Sequence, residues 1–371
     1  MKILYLSTWD FTNEESDGVC KKIYSQVAVF EKQGYVVDFI FIKGEKLVYK
    51  EDGTERIIGK LGNIKKTPAY IKMYRKLKNK KYGWVYNRYG MMDTFYYRVL
   101  KRLHKNGARI LIEIPTYPYA GEKPKGILYQ FMFWWDRKYI KYLKNITERI
   151  VTYSQDDEIF GIPTIHVMNG IDVNLVKPVI NVKDTDIINL LMVALMQPHH
   201  GYERLLYGLK QYYDEGGLRK IFCHFVGDGP ERTSYEEIVK ACNLEDHVHF
   251  YGMKGGKELD EIYDRADIGI CSLGCYKKGI YWSSELKARE YLAKGIPIIS
   301  GIEVDIFSLI DKKSFLQFPN DGSTININKI IEFYDVIYKE SHQTVAQNIR
   351  EMARKYIDIE AVMRPVCNYL E

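Results

Sequence analysis

No Cys-x-x-Cys pair occurs among the six cysteines of this 371-residue chain, and the nearest two, Cys271 and Cys275, read as packing at a strand-to-loop junction. Histidines are as scattered. His199/His200 and His247/His249 lack a third ligand at recognisable spacing, so no metal site is expected. There is no Gly-x-Gly-x-x-Gly in the first loop and no Gly-Lys-Ser/Thr anywhere, which argues against dinucleotide oxidoreduction and P-loop chemistry. No apolar run approaches the ~18 residues that span a bilayer; the longest, Ile127 to Trp135, contains Tyr129 and Gln130. Met1 to Ser7 is too short an apolar run for a signal peptide. The expectation is a cytoplasmic protein whose contact with a membrane would be peripheral.

Acidic residues are missing from Arg56 to Met92, where eleven basic residues stand, including Lys65-Lys66 and Arg75-Lys76, with Tyr70, Tyr74 and Tyr82 interleaved. Residues 1–176 hold 30 Lys/Arg against 19 Asp/Glu, whereas the remainder holds 24 against 29. Such a basic stretch meets polyanions, whether lipid headgroups, a lipid diphosphate or nucleic acid, or it is a solvated helix face.

The chain is long enough for two domains, and its hydrophobic pattern runs through two successive α/β units. In the first, Lys2 to Ser7 is a buried strand, Asp17-Gly18 a turn, Val19 to Lys32 a helix and Tyr35 to Ile42 a strand. Strands at 84–87, 110–114 and 150–153 alternate with helices at 67–81, 92–106 and 126–145. Asn169 to Asp172 and Lys177-Pro178 look like a turn and linker. The pattern restarts with the strand Ile187 to Leu195, followed by helices at 202–213, 234–242 and 258–265 and strands at 221–226, 248–251 and 268–272. Alternation of this kind implies parallel sheets, with ligands at the carboxyl ends of the strands.

The most informative segment is Ser284-Glu285-Leu286-Lys287-Ala288-Arg289-Glu290-Tyr291-Leu292-Ala293-Lys294-Gly295-Ile296-Pro297. Ser284 is placed to cap a helix that Gly295 ends in a left-handed turn, before a buried strand to Ser300. Free amides at the helix start would attract a diphosphate, and Glu290, six residues on, sits roughly 9 Å further along the axis, about the reach to a ribose. The alternative is a surface pair between Lys287 and Glu290.

This run resembles the donor-site helix of GT-B glycosyltransferases, in particular the retaining enzymes of glycosyltransferase family 4. Those enzymes carry two glutamates with seven residues between them; the second matches Glu290 and the first falls on Trp282. In the loop Gln197-Pro198-His199-His200-Gly201-Tyr202-Glu203-Arg204-Leu205, His200 stands where the family has Lys and Leu195 where it has Arg, with Arg204 as a further cation. Val226-Gly227-Asp228-Gly229-Pro230 matches the family's Gly-x-Gly-Pro turn, and Val248 to Met253 resembles its base-contacting strand end. Gly18 corresponds to the glycine loop where acceptor and sugar meet the diphosphate. Glu113 to Tyr119 lies at a strand end where relatives place a histidine, so Glu113, Thr116 and Tyr117 are acceptor-side candidates, or Glu113 is a buried hydrogen-bonded group.

The resemblance implies a GT-B fold, two doubly wound Rossmann-like domains facing each other across a cleft: residues 1–174 on the acceptor side, with a terminal helix at about 355–371 packing back on it, and 175–354 binding the donor. It also implies transfer of a sugar from a nucleotide diphosphate sugar with retention and no metal cofactor. Gly18, Glu113, Tyr117 and His200 are the catalytic candidates. Donor contacts fall to His200, Arg204, Gly227, Gly229, Met253, Ser284, Leu286, Lys287 and Glu290. The expected acceptor is a saccharide, free or polyprenyl-diphosphate-linked, at an anionic inner membrane surface in capsule, exopolysaccharide or O-antigen synthesis. A soluble sugar phosphate acceptor, a nucleotide-sugar 2-epimerase and a noncatalytic polyanion binder are the alternatives; nucleic acid is not an expected partner.

Overall fold

The structure is a computed structural model that describes residues 1–12, 18–61, 67–90, 93–117, 127–179 and 186–371. The side chains at 67, 127–129 and 131–133 lie outside the description. The chain divides into two compact units, Met1–Met168 with Val362–Glu371, and Asn169–Ala361. The division precedes the expected boundary after residue 174 because Asn169 and Ile171 bond within the second unit. The Asn169 amide donates to Ser284 Oγ (2.9 Å), and Ile171 exchanges backbone bonds with Ile357 and Ile359 (3.0 Å each). Those last bonds also keep residues up to 361 in the second unit, so the returning segment is shorter than expected.

Unit 1 is built on strands β1 (Lys2–Asp10), β2 (Val36–Lys43), β3 (Lys46–Glu51), β4 (Thr54–Lys60), β5 (Trp84–Arg88), β6 (Arg109–Ile114), β7 (Arg149–Thr152), β8 (Glu158–Ile159) and β9 (Ile162–His166). They form one sheet in the order β4-β3-β2-β1-β5-β6-β7-β9-β8, parallel from β2 to β9. The helices are α1 (Gly18–Lys32), α2 (Thr67–Leu77), α3 (Thr94–Lys105) and α4 (Ile127–Leu143). Period-two alternation decides which helix meets which face. Leu4, Leu6, Ile40, Ile42, Ile110 and Ile112 share a core with α2, α3 and Leu143 of α4. Tyr5 and Tyr86 point the other way, to Gln26 and Phe30 of α1. The antiparallel strands β3 and β4 were not expected; their turn, Asp52 (φ 49°) and Gly53 (φ 77°), has the two positive φ values of a tight hairpin.

Unit 2 contains β10 (Ile187–Val193), α5 (Glu203–Asp214), β11 (Lys220–Val226), α6 (Arg232–Ala241), β12 (Val248–Phe250), α7 (Gly256–Tyr263) and β13 (Ile268–Ile270). It continues through β14 (Trp282–Ser283), α8 (Leu286–Lys294), β15 (Ile298–Ser300), β16 (Glu303–Val304), β17 (Phe315–Gln317), α9 (Ile327–Ile337) and α10 (His342–Tyr356) to α11 (Ile359–Leu370), whose residues from Val362 belong to unit 1. Six parallel strands run in the order β12-β11-β10-β13-β15-β17. Strand order therefore reverses between β10 and β13. Connections from these two leave to opposite faces and open a crevice at their carboxyl ends. Tyr291 of α8 fixes the helix to this point: its hydroxyl accepts from Val193 N (2.9 Å) and donates to Leu191 O (3.2 Å), and its ring fills the space a side chain at Gly269 would occupy. Among the described residues no helix is long and apolar enough to cross a membrane.

Candidate functional site

The polar groups of unit 2 converge where β10 and β13 end. The loop after β10 turns through Gly201 (φ 63°), and a Cβ there would lie 2.5 Å from the Gly274 backbone, so the two loops touch main chain to main chain. Leu273 N donates to His200 O (2.7 Å) across this contact. The His200 ring is buried and stacked on Tyr202 at 5.5 Å. Its Nδ1 accepts from Gln197 N (3.1 Å), which leaves the proton on Nε2 as a donor. Burial first, and then the Lys287 charge, push His200 down to about 2. It is thus a neutral donor, not the cation expected from its place in the loop. His199 beside it is lowered to about 4 by burial and by Lys278 and Lys287.

Lys287 is the charge at this point. Its Nζ reaches Ser272 Oγ (3.3 Å) and Tyr202 Oη (3.4 Å), both neutral, and among the described residues no carboxylate lies within ion-pair distance. The residue before α8 is Glu285, not Ser284, and no side chain caps the helix. Glu285 turns to accept from Ser272 N (3.3 Å) instead. The amides of the first turn, from Leu286 on, are left open to a ligand. Ser284 does not cap because its Oγ is already engaged by Asn169 N (2.9 Å) and by Arg289 Nη2 (3.1 Å). Arg289 is fully buried, paired with Asp305, and donates to Asn169 O (2.9 Å); it holds the strand-to-helix turn in place. Glu290 is half-buried on α8 beside Tyr263, whose hydroxyl is raised by burial and then by the Glu290 charge.

Other expected donor contacts take different work. Arg204 is buried, with Nε on Ser323 O (2.6 Å), Nη2 on Pro319 O (3.0 Å) and Nη1 on Leu273 O. It braces the 319–323 loop against the end of β13, and with its donors spent on carbonyls it is withdrawn as a donor-binding cation. Gly227 (φ 121°) and Gly229 (φ 148°) are required by the neighbouring loop: a Cβ on Gly227 would fall on the Ala194 carbonyl oxygen, and one on Gly229 would lie 2.6 Å from Met196 N. These glycines admit another backbone, where a ligand was expected. Met253 and Leu195 are 69% and 61% exposed at the ends of β12 and β10, apolar surfaces on the same edge of the sheet.

In unit 1 the candidates are internally satisfied. Glu113 is fully buried and accepts from Tyr86 Oη (2.8 Å), Tyr153 Oη (3.0 Å), Gln26 Nε2 (3.1 Å) and Arg88, with Lys22 at 3.7 Å. Burial would raise its carboxyl, but Arg88 and then Lys22 outweigh it and hold the group below the usual range. Of the two readings of Glu113, the buried hydrogen-bonded group is the one found, and its catalytic assignment is withdrawn. Tyr117 is half-buried and packs edge-on against Phe160 (5.9 Å) beside the core; Thr116 is exposed. Gly18 opens α1 with no contact that a Cβ would disturb. Asp17, Lys65, Lys66, Met92, Pro118 and Tyr119 lie outside the described residues. Of the tyrosines in the basic stretch, Tyr70 is core and Tyr82 is buried on Asp38 (2.7 Å), so neither offers a stacking surface.

Glu285, Asn169, Arg289 and Tyr202 were not singled out by sequence. Only Glu285 carried a local signal, as an acid directly before the helix; the others act through partners 85 to 120 residues away. No group of three or more His, Cys, Asp or Glu side chains that would hold a metal occurs among the described residues.

Residues 176–301, which include this crevice, match the family described as glycosyl transferases group 1. No curated protein sequence matches the chain. Among solved structures it is similar to sucrose-phosphate synthase from Thermosynechococcus elongatus, with TM-score 0.68 and 17% identity over 99% of this chain and 98% of that one. It is also similar to HepE from Anabaena in complex with UDP (TM-score 0.66, 13% identity, 100% and 99% covered). The pneumococcal O-GlcNAc transferase GtfA in complex with UDP and GlcNAc gives 0.62 at 10% identity, with 100% and 98% covered. At such identities the likeness is one of fold. The chain has the GT-B fold, and within its second unit residues 176–301 are similar to the glycosyl transferases group 1 family.

Proposed function

We propose that the protein transfers a sugar from a nucleotide diphosphate sugar, with retention, to a saccharide acceptor carried on a lipid. The observation that carries the reading is the set of unmatched donors at the β10/β13 crevice: the Lys287 ammonium with no carboxylate partner, the neutral His200 Nε2–H and the uncapped first turn of α8. A diphosphate supplies what they lack. As the glycosidic bond breaks, charge develops on the departing phosphate, and donors already fixed by Tyr202, Ser272 and Gln197 stabilise it without reorganising. In this reading Glu290 accepts from the ribose hydroxyls and Met253 lies against the base. Support for a uridine nucleotide comes from the solved neighbours, since HepE is known in complex with UDP-glucose and GtfA with UDP.

In a front-face transfer the leaving phosphate takes the acceptor proton. This suits a chain whose Glu113 is sealed among its own partners. Protein cations and amides carry the leaving-group charge in this scheme, so turnover is expected to survive chelation of divalent cations. A noncatalytic polyanion binder is disfavoured by the burial of Tyr70 and Tyr82. The test is mass spectrometry of the protein incubated with a nucleotide-sugar panel, scored for hydrolysis or transfer, beside calorimetry of UDP and GDP. Glu290→Gln should weaken the preferred nucleotide about tenfold or more, the usual worth of a charge-assisted hydrogen bond. An unchanged affinity would remove Glu290 from the ribose.

A further inference from the structure

Helices α2, α3 and α4 cover one face of the unit 1 sheet side by side. Tyr70 of α2 meets Tyr96 of α3 at 5.0 Å, and Tyr97 of α3 meets Tyr139 of α4 at 5.3 Å. With the tyrosines turned into these seams, what remains outside is basic. Pairs one turn apart carry the same sign: Lys72 and Lys76 on α2, Arg98 and Arg102 with Lys101 and Lys105 on α3, and Arg137 and Lys141 on α4. The one acid within these three helices, Asp136, is buried and accepts from Tyr89 Oη (2.7 Å). Like charges four residues apart weaken a helix.

Along α5 and α6 and at the start of α7 in unit 2, charges four residues apart carry opposite signs. Lys210 pairs with Asp214 (2.5 Å), Arg232 with Glu236 (2.8 Å), Lys254 with Glu258 (3.0 Å) and Lys257 with Glu261 (3.9 Å). The basic side chains of α2, α3 and α4 meet rings rather than acids (Lys76 over Tyr49, Arg98 over Phe95, Lys101 over Tyr97, Lys138 over Trp135), so the face keeps its net positive charge and is complementary to an extended anionic surface. Trp134 is 59% exposed on α4, one turn before Lys138, and an indole next to basic residues suits the headgroup region of a bilayer.

We propose that the outer face of α2, α3 and α4 docks the protein on an anionic lipid bilayer. The expected basic stretch, Arg56 to Met92, contributes only α2; the larger part of the face comes from α3 and α4. The inference rests on the lipid-carried acceptor for its purpose and on the charge pattern of the helices for its chemistry. Nucleic acid is the weaker occupant, because Tyr70, Tyr96 and Tyr97 are buried in the helix seams and only α4, through Trp134 and Tyr142, exposes rings among the described residues, too few for a run of stacked bases.

The test is flotation of the full chain with phosphatidylcholine vesicles, with and without phosphatidylglycerol. Binding is expected only with phosphatidylglycerol, falling as salt rises. The combined variant Lys101→Glu, Lys105→Glu, Lys138→Glu, Lys141→Glu should lose about tenfold or more in partitioning. A control with the same charge change in unit 2 (Lys220→Glu, Lys240→Glu, Lys312→Glu, Lys339→Glu) should stay within about twofold of the parent, as only charges near the surface count. Calorimetry with UDP on the same variants separates this claim from the proposed function: the docking face stands if vesicles bind as expected though UDP does not. Equal binding to neutral vesicles, no binding to either, or equal losses in both variants overturns it. So does binding of oligouridine RNA that the four unit 1 reversals abolish while vesicle binding survives.

Discussion

Both units gather charged side chains at the carboxyl ends of parallel strands, and they use them differently. In unit 1 the Glu113 carboxylate meets Arg88, Lys22, two tyrosine hydroxyls and Gln26, and nothing of the carboxylate reaches solvent. In unit 2 the Lys287 amine meets two hydroxyls and the Tyr202 ring, with no carboxylate partner among the described residues, and the helix that carries it is uncapped. The same residue types therefore form a closed structural knot in one place and an open anion receptor in the other. Satisfaction of partners, more than the presence of charge, separates scaffold from site.

The largest effect that would break this contrast is on stability. Glu113→Gln takes the carboxylate from Arg88 in a buried place, and loss of one partner from a buried ion pair costs about 3–5 kcal/mol. Urea unfolding of unit 1 should show a loss of that order while UDP affinity stays within about twofold. A loss under about 1 kcal/mol would mean that the knot is solvated and open to a ligand.

Next in size is the pH response. His200, lowered to about 2, and His199 and His224, lowered to about 4, are chiefly depressed by burial. Below the unfolded value near 6.5 the unfolded chain binds these protons and the folded chain does not, so stability rises with pH and falls on acidification. Loss begins below about pH 6.5 and runs to about 4 for His199 and His224 and further for His200. Between pH 7 and pH 5 each contributes about 2 kcal/mol of loss. Replacing His200 by Asn should remove one such contribution from the urea midpoints; an identical pH slope would contradict the buried neutral imidazole.

Lys287→Met tests the open side of the comparison. It should weaken UDP about tenfold, near 1.4 kcal/mol, and raise the titration of His200 and His199, which Lys287 depresses. Calorimetry and histidine NMR read the two effects. The smallest expected change concerns the outer helices: Lys101→Glu relieves repulsion with Lys105 and should stabilise unit 1 by a few tenths of a kcal/mol. A destabilised protein would mean that the contact of Lys101 with the Tyr97 ring (6.0 Å) outweighs the repulsion.

Much of the fold was legible because hydrophobic periodicity is local. The strands at 84–88, 109–114 and 268–270 and the helices through 67–77, 94–105 and 286–294 lie within a few residues of expectation. The β3/β4 hairpin was missed although Asp52-Gly53 is a recognisable turn, since its flanking strands are basic and half-exposed. Site residues were harder, because what each does is set by a distant partner. Ser284 reads as a cap until Asn169, 115 residues away, takes its hydroxyl, and Arg204 reads as a free cation until the 319–323 loop encloses it. Glycines 227 and 229 were legible as a tight turn, but not that the turn accommodates Met196 and Ala194.

The most direct test of the open and closed clusters is hydrogen exchange of the full chain with and without UDP. Slowed exchange should appear in residues 194–202 and 271–290, the loops after β10 and β13 and the first turns of α8, and be absent from 84–90 and 109–117 around the Glu113 knot. Protection at the Glu113 strand ends, or none in either unit with UDP or GDP at saturating concentration, would contradict the account.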